Sequence, residues 1–347
     1  MICAAMTVTG PISGEELGIT LVHEHLLVDI NCWARKPDRG LTESIYSEKV
    51  SIKNREMLTR NPDSIVDNCL LLDPNLTIKE LMEFIDLGGK TITDVTCRGM
   101  GRNPAALAEI SKTTGINIIM GSGYYVHLSH PEYLNTMTVE EIRDEIVRDL
   151  VEGVGGTGIK AGVIGEIGIM DLKIENEVKV LKGAAQAQKE TGACFYIHPP
   201  IWSKECLAIL NIVEKEGTDL TKTIFCHQSV SWDDFEYQKE LCKRGVYLGY
   251  DLFGQEFQFD TIKQRFPSDI ESLRGIFSLA HAGFLKQMLI SQDTCWKIQL
   301  KQFGGQGYAH ILKNILPQMQ KMGLSPLEID LLLIENPRRV LCGALRT

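Results

Sequence analysis

The chain lacks the features that mark nucleic-acid-binding and membrane proteins. Its 347 residues contain 36 Lys and Arg against 45 Asp and Glu, a net charge of −9, so we expect no basic face for nucleic acid. No apolar run reaches the roughly 20 residues that a membrane-spanning helix needs. Residues 1–6 contain no basic segment followed by a long apolar one. We therefore predict no signal peptide, no membrane partner and a cytoplasmic location.

Paired cysteine motifs are also missing. The 10 cysteines are scattered singly without any Cys-x-x-Cys, and several, such as Cys194 and Cys226, lie in apolar runs. This pattern favours reduced, buried cysteines over disulfides or a cysteine nucleophile. No low-complexity or linker segment interrupts the chain either. We therefore expect a single domain over residues 1–347.

Short apolar runs alternate with helical segments along most of the chain. Each run is apolar on both faces and is followed by a helix, which indicates parallel strands covered by helices. Capping-box motifs at Thr77, Thr138 and Ser325 mark three helix starts. The predicted strands lie near residues 20, 93, 118, 163, 195, 224, 248 and 289. Eight such units in about 330 residues predict an α/β protein with a (β/α)8 TIM barrel, and an open doubly wound sheet is the alternative.

Two segments lie outside this repeat. Residues 6–18, with Gly10-Pro11 and Ser13-Gly14, predict an N-terminal β-hairpin. After the first strand, residues 30–75 are rich in charge, proline and asparagine. We predict that they form a long loop excursion over the strand ends, with one helix near residues 47–59.

Polar residues that end the predicted strands form a metal-binding pattern. His23 and His25 are two positions apart on the first strand, so both imidazoles would face the same side. Strand ends meet at one rim of such a barrel, where catalytic residues lie. The residues at these ends are His23, His25, Glu166, His198, His227 and Asp293. The sequence thus predicts that four histidines and two carboxylates meet at one site.

Six ligands exceed the three that one catalytic zinc takes from a protein, and they suit two divalent metal ions. Zinc is the default ion for a site rich in histidine, with Mn, Co and Fe as alternatives. A hydroxide between the ions would attack a carbonyl or phosphoryl centre of a small-molecule substrate, and Asp293 would take its proton. One ion would be held by His23, His25 and Asp293 and the other by His198 and His227, with Glu166 as the bridge.

The sequence leaves the roles of five further residues open. Asp251, at the end of the seventh strand, is either a proton relay or a hydrogen-bond partner of a metal ligand. Tyr125 either contacts the hydroxide or forms part of the pocket wall. Arg102 either meets an anionic substrate or forms a structural salt bridge, which we favour. His127 and His130 follow the third strand and are weaker candidates for substrate contact.

The chain resembles the phosphotriesterase-like proteins of the amidohydrolase superfamily. The resemblance extends along nearly the whole chain and rests on residues 18–25, 121–125, 160–168, 250–254 and 335–337, besides the strand-end residues named above. It implies the barrel, a binuclear metal centre with those six ligands, and a homodimer. The phosphotriesterase homology and phosphotriesterase-related branches have a glutamate at the bridging position, like Glu166.

Three departures from the better-known members bear on the substrate. Those members bridge the metals with a carboxylated lysine, whereas Lys160 lies too far back on its strand to do so. Gln292 stands where a histidine is frequent, and the excursion is longer than in compact members. The resemblance therefore supports the metal chemistry better than it supports organophosphate hydrolysis. The predicted activity is metal-dependent hydrolysis of an ester, lactone or phosphoester. The alternatives are an amidase that acts on a small N-acylated acid and a metal-retaining binding protein without turnover.

Overall fold

The computed structural model describes residues 4–35 and 43–343, in which eight parallel strands pair in chain order around a barrel. The first and eighth strands meet where the N–H of Asp293 donates to the carbonyl of His23 at 3.0 Å. The barrel prediction is confirmed, and the open doubly wound alternative is wrong. From the first to the eighth, the barrel strands span Ile19–Glu24, Gly89–Asp94, Asn117–Ser122, Val163–Gly168, Cys194–His198, Thr223–Phe225, Tyr247–Tyr250 and Met288–Ile290.

Buried side chains on both faces of the strands hold the barrel together. Leu21 packs in the large cluster between strands and helices, while Val22 packs in a smaller cluster. Every barrel strand or its immediate continuation contributes to that smaller cluster, which places the cluster inside the barrel. This alternation explains why each strand reads as a continuous apolar run.

Helices follow the strands much as the sequence predicts. The capping boxes at Thr138 and Ser325 are formed, and each opens a helix at the next residue. Apart from the helices of the excursion, the α-helices described before the last region are Pro74–Asp86, Pro104–Thr114, Val139–Val151, Glu175–Thr191, Cys206–Glu216, Phe235–Lys243 and Asp269–His281. The last region contains the helical segments Ile311–Ile315, Leu316–Met322, Pro326–Asp330, Leu331–Glu335 and Asn336–Leu341.

The helix start predicted at Thr77 is wrong. The helix Pro74–Asp86 begins one turn earlier, and Asp73 caps it. Thr77 is buried and its hydroxyl donates to the carbonyl of Leu26 at 2.9 Å, while Glu80 accepts backbone N–H groups from a distant loop. The two polar residues that resemble a capping box thus make tertiary hydrogen bonds instead.

The described part of the excursion after the first barrel strand carries two short α-helices where the sequence predicts one near residues 47–59. They span Glu43–Tyr46 and Arg55–Arg60, and residues 47–54 are not helical. Asn54 accounts for the difference, because its side chain accepts from the N–H of Ser51 and donates to the carbonyl of Lys49, both at 2.9 Å. Such local side-chain bonds compete with the helix. Part of the predicted excursion, residues 36–42, lies outside the described residues.

The excursion returns to the barrel through a short strand pair. Val28–Asp29 and Leu70–Leu71 pair antiparallel, so the two ends of the excursion lie side by side. Residues near this pair therefore stay beside the C-terminal ends of the barrel strands.

An N-terminal hairpin covers the opposite end of the barrel. Its strands span Ala4–Thr7 and Gly10–Ser13, so it forms earlier than the predicted residues 6–18. Beyond the first of these strands, the N–H of Val8 donates to the carbonyl of Ile118 at 2.9 Å. Ala4 also forms an antiparallel bridge with Gly343. Over residues 4–35 and 43–343, we find no helix of the length and apolar character needed to cross a membrane.

Candidate active site

Three of the predicted ligands form one half of a cluster at the C-terminal ends of the barrel strands. The Nε2 atom of His25 lies 3.3 Å from Oδ1 of Asp293 and 3.4 Å from Oε1 of Glu166. The Nε2 atom of His23 lies 3.6 Å from the same Asp293 oxygen and 3.6 Å from Oε2 of Glu166. All four side chains are buried, so the polar atoms of this half converge away from bulk water.

The remaining two histidines form the other half of the cluster. Nδ1 of His198 lies 3.0 Å from Oε2 of Glu166 and 2.8 Å from Nε2 of His227. Nε2 of His227 lies 3.5 Å from the same glutamate oxygen. Glu166 therefore directs Oε1 towards His25 and Oε2 towards these two histidines. The structure brings all six predicted ligands together and places Glu166 between the two halves.

This donor set fits divalent metal ions. Ligand atoms of His23, His25 and Asp293 lie within 4.8 Å of one another, and so do those of Glu166, His198 and His227. The buried Nε2 atom of His23 has no hydrogen-bond partner among the described residues. A buried, unpaired polar atom is costly, and imidazole nitrogens next to carboxylate oxygens are what first-row metal ions prefer. A cation in each half would satisfy these atoms.

Two of the proposed ligands have left-handed backbone conformations. His227 has a φ of 59° and Asp293 a φ of 47°, a region that residues other than glycine rarely adopt. Such strain is tolerated where the surrounding structure fixes it, and it concentrates at functional sites. The backbone thus turns both side chains into the cluster just after the strands end.

Asp251 contacts histidines in both halves of the cluster. Its Oδ1 accepts from the backbone N–H of His227 at 2.8 Å and lies 3.1 Å from Nδ1 of the same residue. Its Oδ2 lies 2.8 Å from Nδ1 of His23. Burial raises the pKa of Asp251, but the two histidines outweigh burial and hold that pKa below its usual value. The contacts match the second of the two roles left open, a carboxylate that orients metal ligands.

Thr96 and Gln255 also hold the site, although the strand-end pattern does not reveal them. The Thr96 hydroxyl lies 2.8 Å from Nδ1 of His25. The Nε2 atom of Gln255 donates to Oδ2 of Asp293 at 3.1 Å and to its carbonyl at 2.6 Å. Gln255 thereby leaves Oδ1 of Asp293 on the side of His23 and His25. The only signal for Gln255 in the sequence is its place just after residues 250–254, which carry part of the resemblance.

Tyr125 forms part of the wall beside the cluster. Its ring meets that of His198 edge-on with the centroids 5.0 Å apart, and its hydroxyl accepts from Nε1 of Trp33 at 3.2 Å. Burial raises the pKa of Tyr125 well above its usual value, so the phenol stays protonated. These contacts fit the wall role that the sequence left open.

Arg102, His127 and His130 do not line the cavity over the cluster. Arg102 donates to Asp149 at 2.9 Å and is almost fully buried, which is the structural salt bridge that the sequence analysis favours. Nδ1 of His127 lies 2.8 Å from Glu177, and Nε2 of His130 lies 2.7 Å from the carbonyl of Tyr125. Their contacts thus lie within the protein, outside the cavity.

A cavity of about 680 Å³ opens above the cluster, and most of its lining is apolar. Trp202 stacks on Phe266 with ring centroids 5.3 Å apart, and Phe259 lies edge-on to Phe266 at 5.0 Å. On another side, Trp33 and Arg35 come from the excursion after the first strand. A volume of this size is typical of a pocket for a small organic molecule.

A (β/α)8 barrel with histidines and carboxylates gathered at its strand ends defines the class of barrel hydrolases that use a metal site. The sequence model of the Phosphotriesterase family matches residues 4–341. The chain belongs to the phosphotriesterase family and is a hydrolase.

Named relatives and solved structures agree with this assignment. The chain is 37% identical over 337 residues to the N-acetyltaurine hydrolase of Salmo salar, with 96% of each chain covered. A resiniferatoxin-binding protein from Rhodobacter sphaeroides superposes with a TM-score of 0.96 at 39% identity, covering 99% of this chain and 96% of that one. The lactonase Lmo2620 from Listeria monocytogenes superposes with a TM-score of 0.79 at 25% identity, covering 97% and 98%.

Proposed function

We propose that this protein hydrolyses the amide bond of a small N-acylated acid with two divalent metal ions, zinc by default. The observation that carries the two-ion proposal is the position of Glu166, which contacts both halves of the cluster. Its Oε1 lies 3.4 Å from His25 in one half, and its Oε2 lies 3.0 Å from His198 in the other. The name of the Salmo salar relative, N-acetyltaurine hydrolase, supports the amide as the scissile bond. N-acetyltaurine is therefore the reference substrate.

The residues have complementary roles in this proposal. His23, His25 and Asp293 would hold one ion, and His198 and His227 the other, with Glu166 shared. When bound, such ions make a shared water nucleophilic near neutral pH and polarise the carbonyl that it attacks.

Asp293 is the proposed proton carrier. Its Oδ1 faces His23 and His25, while Gln255 donates to Oδ2 and so fixes the carboxylate in one orientation. Asp293 accepts the proton of the attacking water and delivers it to the amine that leaves, since an amine leaves only after protonation. Tyr125 and Trp33 cover one side of the site and exclude bulk water from it.

Hydrolysis of an ester or lactone is the second candidate. The same attack on a carbonyl cleaves either bond, and the structural similarity to a Listeria monocytogenes lactonase favours testing it. The largely apolar cavity also accepts an uncharged substrate.

Glu166→Gln tests the proposed site. We expect the variant to bind less than the full complement of metal and to lose at least about 100-fold in turnover, because the amide cannot bridge two cations. Taurine release from N-acetyltaurine would be measured with hydrolysis of a neutral ester and a lactone, and metal content by mass spectrometry. Glu83→Gln is the control, since Glu83 pairs with the side chains of Lys301 and Lys313 outside the cavity.

The outcomes separate the candidates. Loss of activity in Glu166→Gln with retained activity in Glu83→Gln supports the site. Full turnover in a Glu166→Gln protein would contradict it. A wild-type protein that cleaves esters or lactones but releases no taurine would favour the second candidate.

A further inference from the structure

The geometry points to Arg35 as the residue that binds the negatively charged end of the substrate. This inference rests on the proposed function and names the substrate class more closely. The substrate would be an acyl amide of a short amino sulfonate or amino carboxylate, with the amide at the cluster and the anion at Arg35.

Among the described residues, Asp63 is the hydrogen-bond partner of Arg35. The backbone N–H of Arg35 donates to the carbonyl of Asp63 at 2.9 Å. Its Nε and Nη2 atoms both donate to Oδ2 of Asp63, at 2.9 and 2.6 Å. These bonds use one edge of the guanidinium, and a guanidinium has further N–H donors on its other edge. The side chain remains 30% exposed, whereas Asp63 is buried at 8%. Asp63 therefore orients a cation that still has accessible donors.

The position of Arg35 relative to the cluster is set by a short chain of contacts. Trp33, two residues earlier, donates to the hydroxyl of Tyr125, and the Tyr125 ring packs on His198. Trp33, Arg35 and Tyr125 all line the cavity. Tyr125, Trp33 and Arg35 thus form a part of the cavity wall that starts beside the proposed ligand His198. A substrate whose carbonyl lies at the cluster can extend its other end along this wall.

The charges of the residues that line the cavity also favour binding of the substrate's anionic end at Arg35. Among the described residues that line it, Arg35 carries the only Lys or Arg side chain. The acidic side chains there are Asp63, which Arg35 pairs with, and the two carboxylates of the cluster. Elsewhere the wall is mainly aromatic and aliphatic, and burying an unpaired anion against such a surface is costly. A sulfonate or carboxylate is best stabilised by the planar guanidinium of Arg35.

Binding measured without turnover tests this inference. We would use a ketone in which a methylene replaces the amide N–H of N-acetyltaurine, its carboxylate counterpart, and a neutral counterpart that ends in a hydroxyl. Isothermal titration would give the Kd of each for the metal-loaded wild type, Arg35→Gln and Arg60→Gln. Arg60 is the matched control, because its Nε donates to Asp260 at 3.0 Å outside the cavity.

We expect Arg35→Gln to raise the Kd of both anionic ketones by about tenfold to a hundredfold, the usual loss for a hydrogen bond to a charged group. The Kd of the neutral ketone should stay the same, and Arg60→Gln should change none of the three. The inference is overturned if Arg35→Gln leaves the anionic ketones within about twofold of the wild type. It is also overturned if that variant weakens the neutral ketone equally, or if the wild type does not prefer the anionic ketones.

Turnover of N-acetyltaurine by the same preparations separates this inference from the proposed function. Binding of the anionic ketones through Arg35 without any release of taurine would retain the anion site and reject the amidase. Release of taurine that is equally fast in the wild type and in Arg35→Gln, with unchanged Kd values, would retain the amidase and reject the anion site.

Discussion

Asp251 shows how much the site depends on a side chain that is not itself a proposed ligand. It reaches His23 with one carboxylate oxygen and His227 with the other. These two histidines belong to different halves of the cluster. One carboxylate therefore fixes ring orientation in both halves, so that each Nε2 atom faces the centre of the site.

Asp251→Asn should lower metal affinity about tenfold to a hundredfold, since an amide cannot accept from both imidazoles. Competition with a chromophoric chelator would measure this affinity. Asp269→Asn is the control, because Asp269 lies 2.7 Å from Nε2 of His310 and does not line the cavity over the cluster. Unchanged metal affinity in Asp251→Asn would show that the ligands hold their own orientation.

At the residue scale, the cluster of strand-end residues could be predicted from the sequence, and the place of Arg35 in the cavity wall could not. A His-x-His pair and isolated strand-end residues stand out because a barrel brings strand ends to one rim. Arg35 and Asp63 are 28 positions apart in an excursion without periodicity. Their pairing depends on a loop path that no local pattern specifies.

The junction between the first and eighth barrel strands depends on the carboxylate of Glu24. This residue lies between the two histidines and points away from the cluster. It accepts from the hydroxyl of Ser291 and the N–H of Gln292, both at 2.8 Å, and from the N–H of Thr294 at 2.9 Å. Burial raises the pKa of Glu24 to about 7, although these hydrogen bonds oppose that shift. Hydrogen bonds to the Glu24 side chain thus replace much of the backbone hydrogen bonding between these two strands.

Glu24→Gln should destabilise the protein by about 1–3 kcal/mol at pH 8, where the wild-type carboxylate is ionised. The glutamine amide presents N–H donors to groups that are themselves donors, so at least one buried donor loses its partner. Urea denaturation of the metal-loaded protein would measure the change. Glu16→Gln is an exposed comparison and should leave the stability nearly unchanged. Equal stability of the two variants would contradict this account of the junction.

At the scale of elements, periodicity predicts the barrel strands and most helices but not the excursion. The ends of the helix Pro104–Thr114 are marked in the sequence by Asn103 and Pro104 at its start and by Gly115 after its last residue. Residues 47–54 instead form turns that the side chain of Asn54 stabilises. A local hydrogen bond of this kind overrides helix propensity and leaves no periodic signal.

The six proposed ligands are buried and come from five barrel strands, so metal binding would be linked to the stability of the whole molecule. Because these groups converge only in the folded chain, a bound ion stabilises the folded state by mass action. At free metal a hundredfold above Kd, one ion adds about 2.7 kcal/mol. Without the ions, the buried imidazoles and carboxylates must satisfy one another.

Chelation should therefore lower Tm by several degrees, and added zinc or manganese should restore it. Differential scanning calorimetry of the chelated and reloaded protein would measure the shift. A further scan of metal-reloaded Glu166→Gln should show a smaller gain. An unchanged Tm after verified removal of metal would mean that the site is equally stable without ions.

The antiparallel bridge between Ala4 and Gly343 brings positions from opposite ends of the described chain into contact on the rim away from the cavity. A short peptide could join these two positions, and the polypeptide could then open at another exposed loop with every strand pairing kept. A chain permuted in this way keeps the same neighbouring strands and helices. The fold therefore depends on which elements are neighbours in space, and not on their order along the chain.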